Sequence, residues 1–153
     1  MRLVFAPDHE KLVLEARDRA KNRIFVLSHR LGIAARSVAL LPTLAAVKAN
    51  KIVASIYYGQ TTGRLSGVDG AALTREFAKE GIAIRPVHHP RLHAKVLGWD
   101  NDALAVSSLN WLSADPTDSA PYREIGVVIE APRIAENFIL SFEHARAVPT
   151  FTS

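Results

Sequence analysis

Cysteine is absent, which excludes disulfides, thiolate nucleophiles and cysteine-based metal sites and leaves cysteine usage silent on redox compartment. No apolar run approaches the roughly 18 residues of a membrane span. The opening MRLVFAPDHEK offers one Arg and only a few apolar residues before Pro7 and Asp8, too few for a signal core. Nor is there a block of about five or six like charges of the kind that forms a nucleic-acid tail. A soluble, cytoplasmic protein is therefore expected, with no membrane partner.

What is present fits a single domain over residues 1–153. Hydrophobic residues make up 48% of the chain, ample for a substantial core. Lys and Arg number 19 against 15 Asp and Glu, and the pI of 9.7 leans mildly towards anionic partners. That lean is too weak to choose a function, so the chemistry of particular residues has to do so.

Hydrophobic spacing gives the order of elements. Asp8 is a plausible N-cap for a helix over about 9–21, with Leu12, Val13, Ala16 and Ala20 on one face, and Arg23 to Ser28 reads as a buried strand. A helix over roughly 40–49 has Pro42 in its first turn, and KIVASIYYG, 51–59, is a β-branched and aromatic strand. A loop at 63–70 precedes a helix over about 71–80 stopped by Gly81, then a strand at 82–87. Strands at 92–99 and 103–108 follow, a polar connection at 113–121, a strand at 124–130, and a last helix from Pro132 to about 145. Strands that alternate with helices and then pair with each other predict an α/β fold: a mixed β-sheet flanked by helices on both faces.

The informative window is HAKVLGWDNDALAVSSLN, residues 93–110. If Asn101-Asp102 is a two-residue hairpin turn, opposed residues sum to 203, which sets Lys95 against Ser108 and His93 against Asn110. An imidazole, an amine, a hydroxyl and an amide then converge on one strand face, where an external partner must satisfy them. A phosphate would serve: Lys95 supplies charge, Ser108 and Asn110 donate hydrogen bonds, and His93 is able to act as base or nucleophile near neutral pH.

The same run resembles the H-x-K-x(4)-D-x(6)-G-S-x-N motif of the phospholipase D superfamily, with His93, Lys95, Asp100, Ser108 and Asn110 in register. Ser107 stands where the family has Gly, for which an adjustment of local backbone is expected. The resemblance extends over about residues 5–145 and implies one half of that superfamily's duplicated fold. It implies a phosphodiesterase that uses neither metal nor other cofactor. One His attacks phosphorus to give a phosphohistidine, the His of a second motif protonates the leaving oxygen, and water then reverses the roles. Glu124 matches the position of the carboxylate that holds the nucleophile's other ring nitrogen. Asp100 belongs to the motif but falls at the turn, so a structural role is expected of it.

The chain carries a single copy of the full motif, yet the chemistry needs two histidines. A homodimer that brings two His93 side chains together is the economical solution, as in the small bacterial endonucleases of the superfamily. The rival is a domain of a longer protein whose other half supplies the second motif. A nuclease acting on DNA or RNA is the favoured reading. A lipid-directed phosphodiesterase or phosphatidyl transferase and a silent binding domain are the alternatives.

Three polar groups end predicted strands: His29-Arg30, Gln60-Thr61-Thr62 and His88-His89. That is where α/β sheets place ligand loops, although an ordinary surface-loop role is as good a reading. Trp111 could stack on a base, but a packing role is the better expectation.

Overall fold

The computed structural model describes residues 1–113 and 123–147. All but the first residue of the polar connection expected at 113–121 falls outside them.

Among the described residues the strands form one sheet in the order β1-β7-β6-β5-β2-β3-β4. Its parallel half contains β2 (Arg23–Leu31), β3 (Val53–Thr61) and β4 (Ile82–Pro86). Its antiparallel half continues from β2 through β5 (Val96–Trp99), β6 (Ala103–Ser107) and β7 (Ile125–Glu130) to β1 (Arg2–Phe5). The crossovers that keep β2, β3 and β4 parallel are helical, as a parallel connection requires. They run through α2 (Leu41–Asn50) and α3 (Gly67–Ala78), while α1 (Asp8–Arg19) leads into β2 and α4 (Ile134–Ala147) follows β7.

Helices cover both faces, as expected. On one face Leu12, Val13 and Ala16 of α1, Ala46 of α2 and Phe77 of α3 pack with Ile24, Val26, Leu97 and Ala105. On the other, Ala135 and Ile139 of α4 pack with Phe25, Leu27, Val96 and Leu104. Each fully buried Leu or Phe contributes about 1.5–3 kcal/mol by leaving water. Packing at the centre is close: a Cβ at Gly98 would lie 2.1 Å from the Phe25 ring. No helix among the described residues is long and apolar enough to cross a membrane.

Four details depart from the sequence expectations. β1 was not foreseen; it is a four-residue edge strand whose pairing comes entirely from β7, more than a hundred residues away. Asp8 is the first helical residue rather than the cap, and its carboxylate accepts the Phe5 N–H at 3.1 Å. α2 is preceded by a π-helical turn, Arg36–Leu40, closed by the Leu41 N–H to the Arg36 carbonyl. α3 starts four residues early because Ser66 caps it, accepting the Asp69 N–H at 3.2 Å. Gly70, taken above as loop, lies inside that helix, where a Cβ would meet Thr61 at 2.9 Å.

The hairpin register is a fifth correction. Trp99 pairs with Ala103 and Val96 with Val106, so opposed residues sum to 202 and three residues, 100–102, make the turn. Asp100 is responsible. It takes a left-handed φ of 51°, and its carboxylate accepts the N–H groups of Lys21, Asn22 and Arg23 at 2.8–3.3 Å. Those bonds tie the turn to the start of β2, and a two-residue turn would leave Asp100 in the strand, aimed elsewhere.

Candidate active site

The antiparallel order brings the start of β5, the end of β6, the start of β7 and the end of β2 to one end of the sheet. His93 and Lys95 lie just before β5 in irregular chain, not in a strand as expected. Ser108 and Asn110 lie just after β6, and Glu124 just before β7. The register slip does not scatter them, because all five lie beyond the last regular pair, where strict strand alternation no longer applies. The link at that end is a hydrogen bond from the Ser107 N–H to the Lys95 carbonyl, 3.2 Å.

His93 is exposed, and among the described residues no hydrogen bond reaches its ring. Its contact is a stack on His29, with ring centroids 4.1 Å apart and planes inclined by 26°. His29 was singled out above only as a strand-end residue, and the sequence carried no further signal of this role. Burial, and then the positive charges of His93, Lys95, Arg30 and Arg91, hold its pKa below the usual histidine value. A neutral imidazole therefore lies against the face of His93. The Lys95 ammonium donates to the His93 carbonyl at 3.1 Å, fixing the short H-x-K segment on itself.

Across the site, Ser108 donates its hydroxyl proton to the Glu124 carboxylate and accepts the Ile125 N–H at 3.1 Å. Glu124 was expected to hold His93; within one chain it holds Ser108 instead. Asn110 uses its side-chain oxygen to accept the Arg30 N–H at 3.3 Å, which leaves its NH2 group to donate elsewhere. Asp100 is at the far end of β5 from His93, committed to three backbone N–H groups.

Two cavities flank the site. One of about 440 Å³ lies between the β4–β5 loop and the end of α4, with His93, His89, Arg91 and Arg146 around an apolar floor that includes Leu92 and Phe142. The other, about 550 Å³, lies beside Asn110 and is lined by Arg30, Thr62, Gly63 and Arg64. Among the described residues neither is lined by a carboxylate. Elsewhere Arg2, Arg17, Arg19, Arg36 and Arg133 are ion-paired, whereas Arg30, Arg64 and Arg91 have no ion-pair partner among the described residues. Trp111 is fully buried and cannot stack on a base from outside. His88 is tied by Nδ1 to the Gly59 carbonyl at 3.0 Å.

No family model matches the chain, and no curated protein matches it by sequence. Solved structures do. The phospholipase D family member Nuc from Salmonella typhimurium superposes with a TM-score of 0.66 at 26% identity, over 94% of this chain and 91% of Nuc. NucT from Helicobacter pylori matches with a TM-score of 0.61 at 11% identity, over 94% of this chain and 91% of NucT. Phosphatidylserine synthase from Haemophilus influenzae gives 0.70 at 13%, over 95% of this chain and 37% of the synthase. The fold is thus a phospholipase D fold, and the chain is a phospholipase D-like protein of the superfamily that its motif resembles.

Proposed function

We propose that this chain is a metal-independent phosphodiesterase that hydrolyses DNA or RNA through a phosphohistidine on His93, at a site completed by a second copy. The observation that carries the reading is the end of the sheet itself. An exposed imidazole stands among Lys95, Ser108 and Asn110, between two cavities that, among the described residues, are rimmed by arginines without ion-pair partners and lined by no carboxylate. Such a surface attracts a polyanion and presents a nucleophile to its phosphorus. The likeness to Nuc over nearly the full length of both chains supports the reading.

His93 attacks phosphorus and forms a P–N bond as the P–O bond to the leaving group breaks. The leaving oxygen takes its proton from the His93 of the second copy. Water then cleaves the P–N bond, giving up its proton to that same second imidazole. Lys95 and the Asn110 NH2 group offset charge on the non-bridging oxygens through the pentacoordinate state, where charge builds up. Ser108 cannot donate to phosphate and to Glu124 at once, so substrate binding must break one of those bonds. Glu124 is then released to turn to a ring nitrogen of His93.

The test is cleavage of single- and double-stranded DNA, RNA and bis(p-nitrophenyl) phosphate in EDTA, by the purified chain and by His93→Ala. Cleavage that disappears in His93→Ala, with phosphate trapped on His93 by rapid acid quench, is the expected result. Cleavage that survives in His93→Ala overturns it. Mixing wild type with His93→Ala tests the shared site: if both His93 side chains are needed, activity falls as the square of the wild-type fraction, whereas independent sites lose it only in proportion.

A further inference from the structure

Ser107 replaces the glycine of the motif, and its hydroxyl is the hub of a half-buried hydrogen-bond chain that starts on α1. His9, only 2% exposed, puts Nδ1 2.8 Å from the Phe5 carbonyl and 3.2 Å from that of Ala6, and Nε2 2.6 Å from the Ser107 hydroxyl oxygen. That oxygen in turn lies 3.1 Å from the Leu109 N–H. Carbonyls only accept, so the proton of a neutral His9 ring belongs on Nδ1 and Nε2 is left as an acceptor. The Ser107 hydroxyl then donates to Nε2 at 2.6 Å in preference to the Ile125 carbonyl 3.3 Å away, and accepts the Leu109 N–H. The two carbonyls beside Nδ1 can only accept, which disfavours the other tautomer of a neutral ring.

Room for the side chain is built into the opposite strand. Gly126 pairs with Ser107, and a Cβ on it would lie 2.8 Å from both Cβ and Oγ of Ser107. The other side of the His9 ring is packed on the buried Trp111, with centroids 5.1 Å apart. The hydroxyl therefore has a fitted place, held from α1, β1 and β7 together.

We propose that His9 and Ser107 are positioning residues of the site: the imidazole of His9 anchors the Ser107 hydroxyl, which holds the Leu109 N–H and so fixes Ser108 and Asn110. This rests on the phosphodiesterase reading above. A glycine at this position keeps the backbone bonds of residues 107 and 108 to Lys95 and Ile125 but offers no acceptor to the Leu109 N–H, which the Ser107 hydroxyl ties down here. Ser108 is bracketed by the Ser107 hydroxyl on one side and Glu124 on the other, and Asn110 follows the tethered Leu109 directly.

The experiment is a double-mutant cycle with Ser107→Ala and His9→Phe, the latter keeping an aromatic ring against Trp111. Folded fractions are checked by circular dichroism. Three quantities are read: kcat and KM on bis(p-nitrophenyl) phosphate, the affinity for inorganic phosphate from Ser108 and Asn110 amide shifts, and the His9 tautomer from its ring 15N shifts. The expectation is the Nδ1–H tautomer and a loss in kcat of about five- to tenfold for either folded variant, the equivalent of one hydrogen bond, with KM little changed. Phosphate affinity falls alongside, and the double variant is no worse than the poorer single one. The proposal is overturned by the Nε2–H tautomer, by losses that multiply, or by lowered thermal stability with kcat and phosphate affinity unchanged. A wild-type chain that cleaves nothing, yet loses phosphate affinity in both variants, would sink the enzymatic reading and leave the tether standing.

Discussion

Asp100 is part of the motif but holds the fold, and that division can be measured. Its carboxylate accepts the N–H groups of Lys21, Asn22 and Arg23 at 3.0, 2.8 and 3.3 Å, at a residue whose φ is 51°. A hydrogen bond to a charged group is worth about 1.5–3 kcal/mol net when buried. Lys21 and Asn22 are exposed and water can replace their partner, so the set contributes about 2–3 kcal/mol in total. Asp100→Gly should lose that amount. Asp100→Ala should lose about 1 kcal/mol more, because alanine pays the left-handed penalty that Asp, Asn and Gly largely escape. Asp100→Asn keeps one carbonyl acceptor and the tolerated φ, and should lose about half as much as glycine. For a chain of this length each kcal/mol lowers Tm by about 2–4 °C, so Asp100→Gly melts roughly 4–12 °C early. Thermal unfolding followed by circular dichroism gives the order Asn, Gly, Ala. Because β5 puts about 13 Å of extended chain between Asp100 and His93, kcat well below the melting range should stay at the wild-type value in all three. An Asp100→Asn chain that melts normally yet has lost its kcat would refute the structural reading.

Three further outcomes are expected. His29 has a depressed pKa in the folded chain, so the unfolded chain binds its proton more readily and stability must fall as pH drops below about 6.5, the ordinary histidine value. Denaturant unfolding between pH 5 and 8 should show that slope, with His29→Phe shallower than wild type; an identical slope would discount the stack on His93 as its origin. Gly59→Ala would put a Cβ 2.2 Å from the Leu92 carbonyl and 2.9 Å from that of His29. Backbone atoms give way poorly, so stability should drop by about 1–3 kcal/mol and the H-x-K segment should shift with loss of cleavage, checked by melting and activity together. Arg30→Ala and Arg64→Ala should each weaken single-stranded DNA binding and lower the slope of log affinity against log salt by about one, whatever the sequence. An unchanged slope in fluorescence-anisotropy titrations would remove the cleft beside Asn110 from the nucleic-acid path.

The order of strands and helices, the mixed sheet with helices on both faces and the residues of the motif were legible in the sequence. These depend on local periodicity and on side-chain chemistry at fixed spacing, which short windows of sequence carry. The four-residue strand β1 was not legible, because four residues hold no period and their partner β7 lies at the other end of the chain. The start of α3 could have been read from Ser66 and Asp69, but two glycines hid it. The hairpin register came out one residue wrong because Asp100 is drawn out of the strand by N–H groups near residue 22, a contact that no inspection of residues 93–110 contains. The site survived the slip because its residues lie beyond the paired segment. Tertiary structure alone decided that His29 stacks on His93, that Glu124 grips Ser108 in the single chain, and that His9 reaches Ser107 from α1. Each joins residues from distant parts of the chain, and their meeting is set by how the sheet and its helices pack.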